Sequence, residues 1–222
     1  FPAPVWPTPW GDDPAVAARH AAIEQSSHSV AVFFELFSEN LLQWMRGRPG
    51  CAPSSHDDVR RLEPQLLDLV SFINERGLLH MDAHFENIVT DGEEVYLTDF
   101  GLAISDRFEL SDSERAFFKR HRGFDCATVL TSLVHAIFTR HAGERDWRDA
   151  FRAFLDGSGQ PCDGMPDADR DFLTRRGPLW LAMGRFYERL RDDITTEFPA
   201  EEIRRLLKEG APAGGGPGAR SV

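Results

Sequence analysis

Four polar side chains crowd a short stretch of this chain. The segment LLHMDAHFENIVTDGEEVYLTDFGLAIS, Leu78 to Ser105, holds His80, Asp82, Asn87 and Asp99 among apolar triplets. A carboxylate can orient an attacking hydroxyl, and an amide oxygen with a second carboxylate forms a hard donor pair suited to Mg²⁺. Phosphoryl transfer needs both, held within a fraction of an ångström by a rigid frame. Asp82 and Asn87 lie five residues apart on one loop. The runs NIVT and VYLTDF flank Asp91-Gly92, which is a hairpin signal. A tight hairpin returns the chain to its start and so brings Asp99 back beside Asn87.

The elements that must position these residues can be read on either side of them. Val59, Leu62, Leu66, Leu69, Val70 and Ile73 fall on one helical face, and Pro64 either kinks that helix or begins it. Gly77 fits its C-terminal cap. Asp125 to Phe138 is too broadly apolar for a surface helix and should be buried. Further helices are predicted around Trp147 to Leu155, Leu179 to Leu190 and Glu201 to Leu207.

Toward the start, Phe1 to Asp13 reads as an irregular lead-in, and Pro14 suits a first helical position after the capping candidates Asp12 and Asp13. An Ala-rich helix to about Gln25 follows, then VAVFFELF, Val30 to Phe37, as a buried strand. ENLLQWM reads as a short helix, Gly47 to Ser55 as a loop, and the Gly/Ala/Pro run from Gly210 as disordered. There is no internal repeat, and the order of elements is mostly α, of the α+β kind.

Composition bounds the partners. The 222 residues carry a net charge of −11, with 41% apolar and 27% charged residues. This argues against nucleic acid or an anionic membrane as partner and leans toward a cationic acceptor. Cys51, Cys126 and Cys162 are odd in number, share no metal-ligand spacing and read as reduced thiols. No apolar run nears the ~18 residues of a membrane helix and no signal peptide opens the chain, so a cytoplasmic location is expected. The first residue is Phe1, which points to a processed chain or a piece of a longer one.

The loop and hairpin resemble the protein-kinase-like superfamily. Its His-x-Asp-x-x-x-x-Asn catalytic loop stands here as His80, Asp82 and Asn87, and its DFG as Asp99, Phe100 and Gly101. The resemblance implies an ATP-dependent phosphotransferase that uses Mg²⁺. Asp82 would be the catalytic aspartate, His84 a second catalytic residue in contact with phosphate, and Asn87 and Asp99 the metal ligands. His80 would brace the loop, Phe100 and Gly101 would set how Asp99 is presented, and Asp125 would tie the loop to the buried helix. The backbone at Glu35, Leu36 and Phe37 would face the adenine. On this reading residues 1–29 are a lead-in or N-lobe remnant, 30–209 a kinase-like C-lobe with its hinge near 35–40, and 210–222 a tail. The fold is a helical bundle with a small catalytic-loop hairpin.

Each residue also has a plainer reading. His80 suits a packed core histidine, His84 a solvent-facing one, and Asp125 a helix N-cap. Departures from the pattern bear on the acceptor. His84 stands where eukaryotic-type protein kinases usually carry Lys, which looks more like the aminoglycoside phosphotransferase and choline kinase branch and implies a hydroxyl-bearing small molecule. The segment from Gly101 to Cys126 is short and lacks an APE-like tripeptide. The full DFG followed by Leu102-Ala103 looks instead like a protein kinase. Before Val30 there is no G-x-G-x-x-G and no lysine. The N-lobe is then either upstream in a longer gene or lost. Three readings stand: a small-molecule kinase lobe, a serine/threonine protein kinase lobe, or a non-catalytic pseudokinase-like module.

Overall fold

The apolar repeat beginning at Val59 forms one long helix in the structure, a computed structural model that describes residues 14–28, 31, 33–47, 58–159 and 164–212. The chain divides into two units, Phe1–Leu36 and Phe37–Val222. In the first, α1 spans Pro14–Glu24, with proline at the first helical position as expected. The strand expected over Val30 to Phe37 is not there. Residue 31 and residues 33–37 are in neither strand nor helix, and Phe33 and Leu36 are 93% and 95% exposed. A strand needs a neighbour for its backbone groups, and among the described residues none pairs with this stretch. The lead-in to Asp13, most of the Gly47–Ser55 loop, Cys51, Cys162 and the tail beyond residue 212 lie outside the described residues.

The second unit is mostly helical, with two small antiparallel sheets. In chain order it comprises β1 (Glu39–Asn40), α2 (Leu41–Arg46), α3 (Asp58–Glu75), β2 (Leu78–Leu79), β3 (Ile88–Thr90), β4 (Val95–Leu97) and β5 (Ile104–Ser105). Then come α4 (Asp112–Arg120), α5 (Phe124–Ala142), α6 (Trp147–Asp156), α7 (Asp167–Asp192) and α8 (Ala200–Glu209). One sheet has the order β1-β3-β4 and the other pairs β2 with β5.

The buried helix foreseen at Asp125 is α5, and it is the axis of the unit. Leu130, Leu133, Val134, Ile137 and Phe138 are fully or almost fully buried, and α5 packs against α2, α3, α6, α7 and α8. Leu62, Leu66 and Val70 of α3 and Phe172, Leu173 and Met183 of α7 complete the core. α3 starts at Asp58 and runs through Pro64, so the proline neither begins nor ends it. α7 begins well before the expected Leu179 and passes through Gly177-Pro178. A Cβ at Gly177 would run into the Leu155 side chain, so glycine lets α6 and α7 approach closely. α4 was not foreseen, although its capping box, Ser111 with Glu114, is written in the sequence.

A buried ion pair joins α3 to α7. Arg176 donates from Nε and Nη2 to Glu63 Oε1 at 2.8 and 2.6 Å, and from Nη1 to the Leu207 carbonyl at 3.1 Å. Among the described residues no helix is long and apolar enough to cross a membrane. Cys126 is a free thiol, pushed up to about 11 by burial with the Asp125 charge adding to it, and so stays protonated at neutral pH.

The ion pair yields a test. Glu63→Ala leaves the Arg176 guanidinium buried without its carboxylate, and should lower stability by about 3–5 kcal/mol in a denaturant titration. A loss under ~1 kcal/mol would show that Arg176 finds an equivalent partner and that the pair does not join these helices.

Candidate active site

The site is built on a turn that one buried carboxylate holds. Asp125, in the first turn of α5, is fully buried. Its Oδ2 accepts the His80 N–H at 2.8 Å and the Asn74 Nδ2 at 3.0 Å, and its Oδ1 accepts the Met81 N–H at 2.9 Å. Asn74 also donates to the Leu78 carbonyl at 3.0 Å, so the end of α3, strand β2 and α5 converge on one point. The N-cap reading of Asp125 does not hold, because Gly123 is the cap residue and Asp125 sits inside the helix. Gly77, at φ 75, makes the turn from α3 into β2, and a Cβ there would collide with Asp106.

From that anchor the loop takes an unusual backbone path. Met81 sits at φ 65, a conformation that costs a non-glycine residue on the order of 1–3 kcal/mol. Its N–H bond to Asp125 helps hold it there. His80 is fully buried beneath the loop. Its Nδ1 accepts the Asp82 N–H at 3.3 Å, so Nε2 carries the proton and donates to the Thr98 carbonyl at 2.9 Å. The imidazole therefore ties the loop to the last residue before Asp99. Its ring packs on Phe100 with centroids 4.8 Å apart. The bracing role and the packed-core reading of His80 are the same arrangement.

Asp82 emerges from this frame with its side chain 37% exposed. Asn87 Nδ2 donates to the Asp82 carbonyl at 3.0 Å and to Asp82 Oδ2 at 2.9 Å. Because the amide nitrogen faces Asp82, Asn87 Oδ1 faces away as an acceptor. His84 caps the single 3-10 turn Phe85–Asn87, its Nδ1 accepting from Glu86 N–H at 3.2 Å. That leaves its Nε2 toward Asp82 Oδ1 at 3.5 Å, too long for a tight bond. His84 therefore touches the carboxylate and does not simply point into solvent.

The hairpin closes as its turn signal requires. Ile88 pairs with Leu97, and the Thr98 N–H donates to the Asn87 carbonyl at 3.0 Å. Asp99 is the next residue, which puts it one position past the backbone partner of Asn87. It adopts φ 54, a left-handed conformation that aspartate tolerates better than most residues, and its Oδ1 accepts the Gly101 N–H at 3.2 Å. Phe100–Leu102 form a second 3-10 turn. Among the described residues no three His, Cys, Asp or Glu side chains cluster as metal ligands, so any cation here would rest on Asn87, Asp99 and oxygens of its own ligands.

Glu35 and Leu36 lie in non-regular backbone, and the Phe37 ring packs on Tyr96 of β4 with centroids 4.9 Å apart. Asn74, Met81 and Thr98 are working members that sequence reasoning did not name. None carries a motif signature, since two act through backbone groups and Asn74 is an ordinary amide in a helix. On α7, desolvation pushes the Tyr187 phenol above the usual value, and the Asp82 charge adds to that.

No family model matches the chain. Among curated proteins, it is similar to serine/threonine-protein kinase MAK of Mus musculus, at 38% identity over 82 residues, 36% of this chain and 13% of that protein. It is also similar to serine/threonine-protein kinase ICK of Rattus norvegicus, at 35% identity over 82 residues, 36% of this chain and 13% of that kinase. With serine/threonine-protein kinase KSP1 of Saccharomyces cerevisiae (strain ATCC 204508 / S288c) the identity is 28% over 93 residues, 35% of this chain and 9% of that kinase. The similarity thus spans no more than 13% of these relatives' length. Over about a third of its length, the chain is similar to serine/threonine-protein kinases, which supports its likeness to the protein-kinase-like superfamily.

Proposed function

We propose that this chain is the catalytic-loop portion of an ATP-dependent phosphotransferase whose acceptor is a serine or threonine hydroxyl. The observation that carries the reading is Asp82: a partly exposed carboxylate, fixed on one oxygen by Asn87, on a loop anchored to the core through Asp125. Oδ2 is engaged, and among the described residues Oδ1 has only the distant His84 beside it, so Oδ1 can accept an incoming hydroxyl. Asp82 orients that hydroxyl. As its oxygen bonds to phosphorus and the bond to the bridging oxygen breaks, the proton passes to Asp82.

Asn87 serves two ends of the site. Its nitrogen holds Asp82, and its Oδ1 would join the Asp99 carboxylate in holding Mg²⁺. These oxygens suit a hard cation, and Asp99 keeps Oδ2 clear of its Gly101 bond. When bound, Mg²⁺ would neutralise and align the phosphates. The small-molecule acceptor rested on His84 in place of the usual Lys and on the short Gly101 to Cys126 segment without an APE-like tripeptide. The kinase relatives fit the serine/threonine reading better.

Two measurements on the full-length protein test this. Asp82→Asn should cut turnover by ~10²–10⁴-fold with an unchanged circular dichroism spectrum. Turnover near wild type would remove Asp82 from the reaction. Asp99→Ala should raise the Mg²⁺ concentration needed for nucleotide binding far more than Asp82→Asn does, since a carboxylate is the strongest hard-cation ligand in the site. Equal Mg²⁺ dependence in both variants would reverse the assignment.

A further inference from the structure

A cleft of about 530 Å³ opens between α5, α6 and α7, and none of the residues assigned to the reaction lines it. Its walls carry Trp147, Trp180 and Tyr187, and its charged lining is Arg148, Arg152, Arg191 and Glu188. Glu188 is already paired with Arg152 at 3.2 Å, and Asp149 pairs with the same arginine at 3.0 Å. Among the described residues Arg191 pairs only with its exposed chain neighbour Asp192, at 3.5 Å. Among the described residues Arg148 makes no ion pair, and its guanidinium lies 5.2 Å from the Trp147 ring centroid. α6 opens into the cleft with Trp147 and Arg148, and its cap residue Asp146 makes no side-chain bond to the helix end. In a chain of net charge −11, this is a basic cleft with aromatic walls.

The cleft is joined to the catalytic loop through α5. Asp125, which holds the loop, and Ser132, which lines the cleft, are seven residues apart and so lie on one face of the helix, two turns or about 10 Å from each other. Tyr187 of α7 also lines the cleft, and α7 packs along α5.

We propose that this cleft binds an acidic segment of a peptide acceptor, with Asp or Glu side chains meeting Arg148 and Arg191. The inference rests on the kinase reading of Asp82 and names the substrate class of that site. It reverses the expectation that an acidic protein prefers a cationic acceptor. Arg148 and Arg191 offer planar donors matched to carboxylates, and the Trp147 and Trp180 rings cover the apolar parts of the peptide.

The test is binding of fluorescent serine peptides to the full-length protein without ATP, followed by anisotropy. A serine peptide flanked by a run of Glu should bind at least tenfold more tightly than its Lys counterpart. The double change Arg148→Glu/Arg191→Glu should abolish that preference, while the charge-matched Arg189→Glu/Arg204→Glu, outside the cleft, should keep it. Circular dichroism confirms that both are folded. Equal binding of the two peptides, or a preference that survives the cleft change, overturns the proposal. So does displacement of the acidic peptide by glycerol phosphate at lower concentrations than by unlabelled peptide, which would make the cleft a small-anion site. Because binding is read without turnover, this outcome is independent of the Asp82→Asn result.

Discussion

The loop that carries Asp82 hangs on one carboxylate with no access to water. A buried charge is costly unless hydrogen bonds replace its hydration, and Asp125 receives three N–H groups within 3.0 Å. Those donors come from the end of α3 and from two consecutive loop amides. The carboxylate therefore satisfies backbone groups that would otherwise be buried without partners, while fixing the loop to the most deeply packed helix of the unit. A loop held only by surface contacts would let Asp82 wander by more than the fraction of an ångström that transfer chemistry tolerates.

The strain in the loop follows from that anchor. Two successive amides can point at one carboxylate only if the chain turns sharply, and Met81 makes the turn at φ 65. His80 then fills the space below and links the loop to the Thr98 carbonyl, so the position of Asp99 depends on the same core as that of Asp82. Asn87 closes the arrangement from the other side, bonded through its backbone to Thr98 and through its amide to Asp82. The two carboxylates of the site are set by shared contacts rather than independently.

What the sequence made legible was what local pattern encodes. The α3 face, the buried α5, the Asp91-Gly92 hairpin and the His80/Asp82/Asn87/Asp99 spacing are periodicities and turn chemistry, and each appears where the pattern put it. The failures were tertiary. Val30 to Phe37 has strand composition, but composition cannot supply a neighbouring strand. The helix expected from about Leu179 in fact begins at Asp167 and runs through Gly177-Pro178, where the Leu155 side chain occupies the space a Cβ at Gly177 would need. Met81 carries no sign of its positive φ, since the constraint comes from a carboxylate far along the chain. Tyr187 meets the field of Asp82 only through the packing of α7 on α5.

Charge shows the same difference between sum and arrangement. A total of −11 says that the surface as a whole repels anions, but in physiological salt an exposed charge is felt over only ~8 Å. At the cleft the relevant groups are Arg148, Arg152 and Arg191 against Glu188, Asp149 and Asp192, and Asp149 and Glu188 already share Arg152. His135, which also lines the cleft, is held below its ordinary value, first by burial, with Arg46 and Arg148 adding to that against the pull of Glu144. The field at the mouth is thus set by arginines whose partners are few or shared. A net charge counted over the chain carries no information about that arrangement, because screening makes the local field depend on where each charge sits and the sum contains no positions.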